Sequence, residues 1–265
     1  KKKNLTLEKL RKKMIKLILE TSYNSGQASH IGGALSIVDI MAVLYQKILS
    51  INLKKPQDRF ILSKGHGFLG LLSILYCKNY IKKNDLLSFQ KDGSELIAHP
   101  IENPKIGIES SNGSLGQGLS FGVGLAVAYK KKKKKNSVYV LVGDGECYEG
   151  SIWEAAISAT EIKLDNLIVI VDCNGYQNDG AIGNRMKHTD LKNKWRGFGW
   201  HTISCDGHNF KQLEKSLKTR KKNKPIAIIA KTIKGKGISF MEKNNDWHHG
   251  RLTNKIFKDS LNKIY

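Results

Sequence analysis

Two short segments carry the residue types from which a ligand site can be built. Gly143-Asp144-Gly145-Glu146-Cys147-Tyr148-Glu149-Gly150 follows directly on the apolar run Val138–Val142, and Asp172-Cys173-Asn174-Gly175-Tyr176-Gln177-Asn178-Asp179-Gly180 follows on Leu167–Val171. Both runs are short, β-branched and uninterrupted, the pattern of strands buried on both faces of a parallel sheet. In such sheets ligands bind at the carboxyl ends of the strands. Two neighbouring parallel strands would therefore bring Asp144 and Asn174 to one edge. There a carboxylate, an amide and a backbone carbonyl near Tyr176 offer three hard oxygen ligands, which suit Mg²⁺ with phosphate and water completing its octahedron. Gly143 and Gly145 let a ligand approach the backbone. Asp-Gly or Asn-Gly alone reads as a turn; the pair, each after a buried strand, predicts a divalent cation gripping a diphosphate.

A second group of candidates is histidine. His30 lies in the loop Ser25–Gly33, His66 in Gly65–Gly70, His99 beside Pro100, and His248 and His249 stand together near Gly250. An ordinary imidazole titrates near 6.5, close to working pH, so histidines in a pocket move protons readily. Any one of them reads equally as a structural histidine. Their placement in glycine- and proline-containing loops, away from apolar helical faces, favours function.

The elements needed to hold these loops are legible in outline. Leu7, Leu10, Met14, Leu17 and Ile18 recur at helical spacing, and a second helix is expected from Ser36, as N-cap, to Leu49. Arg59–Leu62 is a strand candidate that leads into a helical stretch ending near Tyr80. Asn84–Asn112 reads as loops and Gly116–Tyr129 as a small-residue helix. Ile226–Ala230 is a third buried strand, with helices expected over Ser151–Leu164 and Asn209–Leu217. That alternation predicts an α/β fold: a doubly wound, mostly parallel sheet with helices on both faces, in one domain over residues 1–265.

Composition narrows the class. The chain has 265 residues, 40% of them hydrophobic, with 45 Lys+Arg against 23 Asp+Glu, a net charge of +22. The apolar fraction excludes a disordered chain. The lysines are spread along the whole chain, the Lys130–Lys135 run suits a helix C-terminus, and aromatics do not interleave with them, so specific nucleic-acid binding is not expected. Attraction of small phosphorylated anions is a simpler use of the same field. Cys77, Cys147, Cys173 and Cys205 are too scattered for a zinc knuckle or redox pair, which predicts free thiols and a cytoplasmic protein. The longest apolar run, Leu119–Tyr129, is about half the roughly 18–20 residues that span a bilayer, and no membrane association is expected.

Gly-Asp-Gly followed about thirty residues later by Asn resembles the diphosphate-binding signature of thiamine-diphosphate enzymes. Gly143–Glu154 and Asp172–Gly180 more closely resemble transketolase. Ser29–Ser36, Leu62–Gly67, Gly113–Gly118, Lys231–Gly237 and Met241–Gly250 are similar to its other motifs, in the family's order and across almost the whole chain. The resemblance implies that Asp144, Asn174 and the Tyr176 carbonyl hold Mg²⁺, or another divalent cation such as Ca²⁺. It implies that His66, Gly145 and His249 contact the diphosphate, with Gly143 and Glu146 in the same cofactor set. Gly113, Ser114 and Leu115 would support the aminopyrimidine through their backbone. His30, His66, His99 and His249 would line the substrate channel as catalytic groups, and Glu149 would link two active sites across a subunit interface.

Two departures accompany this resemblance. Ser114 stands where a proline is common, and the paired histidines leave open whether His248 or His249 takes the family role. Both look like the N-terminal half of a split transketolase, and the sequence stops with no second αβ domain. The expected function is then transfer of a two-carbon ketol unit from a ketose to an aldose, their phosphates included, together with a separate C-terminal subunit that completes the pyrimidine side. A homodimer or an α₂β₂ heterotetramer is the expected assembly. The cofactor itself carries the carbon–carbon chemistry, while the protein supplies anchoring, orientation and proton movement.

Three rival readings weigh against these expectations. Gly65–Gly70 matches G-x-G-x-x-G with Asp85 twenty residues on, the pattern of a dinucleotide-binding dehydrogenase. Its strand is short and begins just after Pro56, Lys64 occupies the turn, and no strand precedes Asp85. Within the thiamine class, a deoxyxylulose-phosphate synthase or a 2-oxo-acid dehydrogenase chain is less similar over Ser63–Gly67 and Gly150–Glu154. A non-catalytic cofactor-domain subunit is the remaining alternative, against which the full set of Asp144, Asn174 and histidines argues. No P-loop sequence is present.

Overall fold

The apolar runs form the sheet that their composition predicts. The computed structural model describes residues 5–50, 58–183 and 188–264. Its strands are β1 Arg59–Leu62, β2 Val138–Gly143, β3 Leu167–Cys173, β4 Tyr176–Gln177, β5 Gly180–Ala181, β6 His201–Asp206 and β7 Ile226–Lys231. Five of them make one parallel sheet in the order β1-β2-β3-β7-β6, and β4 and β5 form a small antiparallel ribbon. The helices are α1 Leu7–Ser25, α2 Ile31–Ser36, α3 Val38–Val43, α4 Phe68–Cys77, α5 Lys83–Leu87, α6 Gln117–Lys131, α7 Gly150–Glu161, α8 His188–Gly197, α9 Phe210–Lys218 and α10 Asn254–Asn262.

Alternate residues of each strand face opposite layers, because the side-chain period of a strand is two. Tyr139, Leu141, Ile168, Ile170, Ile226 and Ile228 pack into one buried cluster with Leu10, Met14 and Ile18 of α1 and with α3, α4 and α9. Val138, Val140, Val142, Val169, Val171, Ala227 and Ile229 pack into the other with α6, α7 and Trp195 of α8. Every residue of β2 and β3 is buried. The sheet is thus wound on both sides, as the sequence predicts. Helix α6 lies close against β2 because a Cβ on Gly122 would stand 2.5 Å from Val140 Cγ2. Among the described residues, no helix is long and apolar enough to cross a membrane, and all four cysteines are free.

Some expectations need correction. The helix expected from Ser36 to Leu49 is broken: α2 ends at Ser36, α3 begins at Val38, and Leu44–Ile48 is a π-helical turn. Ser36 is not an N-cap, since its Oγ donates to Gly33 O at 3.0 Å and to Asp172 Oδ2 at 2.7 Å. The region read as loops contains α5, where Asp85 Oδ2 accepts from Lys82 N at 2.6 Å. Asp85 is therefore committed to capping a helix, and β1, ahead of the glycine-rich turn, is an edge strand. Neither feature suits a dinucleotide fold. Pro56 lies outside the described residues.

Candidate active site

The carboxyl edges of β2 and β3 are paired so that Gly143 lies opposite Asp172. The two chains leave the sheet side by side, with Asp144 N donating to Asp172 O at 3.2 Å. Asp144 is buried, with Oδ1 accepting from Gly145 N at 2.9 Å and Oδ2 from Gly175 N at 2.7 Å. Asn174 Oδ1 accepts from Tyr176 N at 3.0 Å, and its Nδ2 donates to Asp172 Oδ2 at 3.0 Å. Asp144, Asn174 and Tyr176 all border one cavity of about 250 Å³. Its other walls include Lys64, His66, Leu115, Gly145, Glu149 and His248.

The electrostatics of Asp144 suit a cation. Burial, reinforced by the nearby Asp172 charge, raises its carboxyl from the usual carboxylate range to about 7, against the pull of the Gly175 and Gly145 amides and Lys64. Placing a divalent charge beside it would reverse that shift. Carboxylate, amide and carbonyl oxygens are the hard donors such an ion takes, and the Asp144 and Asn174 oxygens keep lone pairs beyond the one backbone N–H that each accepts. These residues fit Mg²⁺ or Ca²⁺.

Beneath them lies a buried ion pair that the sequence did not single out. Lys64 and Asp172 are both fully buried, and Lys64 Nζ donates to Asp172 Oδ2 and, at 3.2 Å, to Gly33 O. Thr232 Oγ1, Ser36 Oγ and Asn174 Nδ2 also donate to this carboxylate. Burial alone would raise Asp172, but Lys64 and these hydroxyls outweigh it and hold the carboxyl below the ordinary carboxylate range. This knot ties β1, β3, β7 and α2 together and turns the Asn174 amide so that its nitrogen faces Asp172 and its oxygen faces away.

Glu146 has a different environment from the one expected. Its carboxylate is buried with both oxygens engaged by this chain, accepting from Ser63 Oγ, from Gly116 N at 2.9 Å and from Gly143 N at 3.0 Å. Although it lies on the cavity wall, its oxygens brace the loop ahead of α6 against β2. Gly113 and Ser114 of that loop are exposed, and Leu115 reaches the cavity. Gly143 N is likewise spent on Glu146, and Gly145 N on Asp144. Glu149 is exposed at the N-cap of α7, at the cavity mouth.

Five histidines gather at the cavity, and two of them, His66 and His248, line it. His30 is central, with ring centroids 5.7 Å from His66, 5.4 Å from His99, 5.4 Å from His248 and 4.7 Å from His249. Backbone contacts impose this convergence. Ser29 and Gly250 exchange two hydrogen bonds of 3.0 and 3.1 Å, which sets His30 against the histidine pair. A Cβ on Gly65 would stand 2.2 Å from Asn112 O, so only glycine allows the His66 turn to close on the His99 loop. Burial, then the neighbouring imidazoles and Lys234, lowers His30 to about 3. Burial followed by Lys64 lowers His66, and burial followed by His249 lowers His99. Burial, then Lys234, brings His248 to about 4. These four rings are neutral at pH 7, each offering one donor and one acceptor nitrogen. His30 Nδ1 is buried without a hydrogen-bond partner, a polar atom aimed at something else.

The structure distinguishes the paired histidines. His248 is half-buried, lies on the cavity wall and stands 5.6 Å from His66. His249 is exposed and packs on His30. Of the pair that the sequence left open, His248 borders the cavity, while the Ser29–Gly250 pairing accompanies an outward-facing His249. Lys234, also absent from the sequence-derived set, is buried behind His248, with Nζ 2.8 Å from its Nδ1.

The model of the family described as "Transketolase, thiamine diphosphate binding domain" matches residues 8–262. The chain belongs to this family. A 6-deoxy-6-sulfo-D-fructose transketolase subunit from Clostridium sp. is 38% identical over 94% of this chain and 92% of that protein. An apulose-4-phosphate transketolase subunit from Actinobacillus succinogenes is 40% identical over 92% of this chain and 90% of that protein. A transketolase crystal structure from Campylobacter jejuni superposes with a TM-score of 0.86 at 30% identity, covering 97% of this chain and 42% of that one. The chain therefore spans nearly the whole of the subunit relatives and about two-fifths of the solved transketolase. The match covers the thiamine-diphosphate-binding part of the transketolase family, in keeping with the resemblance read from the motifs.

Proposed function

We propose that this chain is the diphosphate-binding subunit of a two-chain transketolase, folded as one domain. With a second chain it transfers a two-carbon ketol unit from a ketose or ketose phosphate to an aldose or its phosphate. The observation that carries the reading is the joint placement of Asp144 and Asn174 at the edges of paired β2 and β3, in a cavity that His66 and His248 of the histidine cluster also line. The subunit names of relatives that match almost end to end support the two-chain organisation. So do the exposed apolar side chains Phe121 of α6 and Ile157 of α7, on two helices that pack together. These side chains suit a second copy, giving a homodimer core or an α₂β₂ assembly in which Glu149 at the cavity mouth reaches the neighbouring site.

Thiamine diphosphate supplies the carbon nucleophile and electron sink for ketol transfer. Asp144, the Asn174 oxygen and the Tyr176 carbonyl would hold Mg²⁺ or Ca²⁺ against its diphosphate. Asp144, whose carboxyl burial raises, would be kept ionised beside such a cation. His66 and His248 line the same cavity and would donate to diphosphate oxygens. The exposed backbone of Gly113, Ser114 and Leu115 would support the pyrimidine ring where the partner chain closes over it. His30, His99 and His249 stand above, at the sugar's end of the channel. Neutral His30 and His99 each keep a ring lone pair that can accept a sugar hydroxyl's proton, and because burial and their neighbours disfavour imidazolium, that proton is readily given back. The Lys64–Asp172 knot and Glu146 keep the strand-edge loops in register.

Purified chain, mixed with the product of a candidate partner gene, thiamine diphosphate and Mg²⁺, should convert a phosphorylated ketose and an aldose into the exchanged pair. Either chain alone should be inactive. Full turnover by this chain alone would contradict the two-subunit reading.

A further inference from the structure

The loop after β7 delivers Lys234 to the rear of the histidine cluster and fixes it there. On one side Ile233 N donates to His208 Nε2 at 2.9 Å, while His208 Nδ1 pairs with Asp39 Oδ2 at 2.8 Å and Arg11 Nε with Asp39 Oδ1 at 2.6 Å. On the other, Gly235 N donates to Gly32 O at 3.0 Å, and Lys243 N donates to Lys234 O at 2.9 Å. The side chain is 2% exposed as a residue and passes over the Tyr176 ring, its Nζ 5.6 Å from the centroid.

The ammonium group meets three groups: Asn245 Oδ1 at 2.7 Å, His248 Nδ1 at 2.8 Å and Gln177 O at 3.4 Å. The Asn245 amide cannot be turned the other way without loss, because its Nδ2 donates to Asn178 O at 2.8 Å. Two of the three partners can therefore only accept. An ammonium has three N–H donors and no lone pair. The third donor points at His248, whose Nδ1 must then be the acceptor, and the proton of the neutral ring must sit on Nε2.

We infer that Lys234 is a positioning residue that locks His248 in its Nε2–H tautomer, making this ring a hydrogen-bond donor to an anionic oxygen in the cavity. The consequence is a division of labour among the histidines. His248 in its resting form has no free lone pair toward the cavity and cannot act as a base there, so base chemistry falls to the other rings. The groups facing His248 agree with a neutral donor: His30, His66 and His249 around it, the Lys64 and Lys234 ammoniums behind, and, among the described residues, Asp179 as the group of opposite sign. The tautomer itself rests on the Lys234 contacts alone; its use toward an anion rests on the function proposed above.

The test is ¹⁵N NMR of histidine-labelled chain without cofactor, with the His248 signals assigned by their loss in H248Q. The unmutated chain should give an acceptor-type shift at Nδ1 and a protonated-type shift at Nε2. In K234M both should move toward the intermediate values of a mixed tautomer, and in parallel affinity for thiamine diphosphate with Mg²⁺ should fall on the order of tenfold. An Nδ1–H signature in the unmutated chain overturns the inference whatever the variant does. So does an unchanged His248 spectrum in folded K234M. If the tautomer is as stated but no form of the chain binds thiamine diphosphate, the lock stands and the reading of the cavity fails.

Discussion

Replacing Lys64 by methionine removes one charge from a place where water cannot substitute for it. The side chain volume is nearly kept, so packing changes little, but Asp172 keeps a fully buried carboxylate with only Ser36, Thr232 and Asn174 as donors. Breaking a buried ion pair on one side costs about 3–5 kcal/mol, because the orphaned charge bears its full desolvation. Three surviving donors place this case near the lower end, about 3 kcal/mol. That is a large share of the roughly 5–15 kcal/mol that holds a typical domain folded. At about 2–4 °C per kcal/mol for a chain of this size, the melting temperature should fall by about 6–12 °C.

The pH dependence gives this prediction its sign. In the unmutated protein Asp172 is held below the ordinary carboxylate range. Its contribution is therefore complete above the unfolded value, about 3.9, and is lost as pH falls through the lower folded value. Without Lys64, burial dominates and the carboxyl rises, so the variant regains stability as pH falls from 7 toward about 4. The gap between the two proteins should shrink on acidification. Urea denaturation followed by circular dichroism between pH 4.5 and 7.5 measures it, and K64M/D172N should recover much of the loss. A K64M chain within about 0.5 kcal/mol of the parent at pH 7, or a gap that widens as pH falls, would refute the reasoning.

Asp144, raised to about 7 while metal-free, should release a proton when a divalent ion binds. Affinity for Mg²⁺ with thiamine diphosphate should therefore rise from pH 6 to 8, and D144N should abolish both the binding and the proton release in calorimetry. The same shift, upward for a carboxyl, means that the metal-free chain loses stability as pH rises from about 4 through 7; thermal melts with added Mg²⁺ should lose this slope. E146Q can keep its oxygen on Ser63 Oγ and Gly116 N but then turns its amide nitrogen against Gly143 N–H, so urea denaturation should register a loss of about 2 kcal/mol. G65A drives a Cβ to 2.2 Å from Asn112 O, which must part the His66 and His99 loops. Its crystal structure should show that separation, and calorimetry should show weakened cofactor binding.

What the sequence made legible was what depends on local pattern. β2, β3 and β7 read plainly because every position but the last of β7 is buried. The edge strand β6 did not, since His201, Thr202, Ile203 and Ser204 are only half-buried and carry no apolar run. The break between α2 and α3 is set by tertiary bonds from Ser36 to Gly33 and Asp172, which no helical periodicity reports. Asp144 and Asn174 were legible as neighbours because the pairing of β2 with β3 brings both strand ends to one cavity. The role of Glu146 was not, as its donors come from residues 63, 116 and 143. Adjacent histidines are equivalent in a sequence, and the backbone pairing of Ser29 with Gly250 is what separates His248 from His249.

The central claim is that Asp144 and Asn174 grip one ion that tethers a diphosphate. A crystal grown with thiamine diphosphate and Ca²⁺, with data collected for calcium's anomalous signal, tests it most directly. The account predicts one anomalous peak bounded by Asp144, the Asn174 amide oxygen and the Tyr176 carbonyl, with both phosphates beside it and His248 donating to one. A peak elsewhere, or a diphosphate bound away from these two side chains, would contradict it.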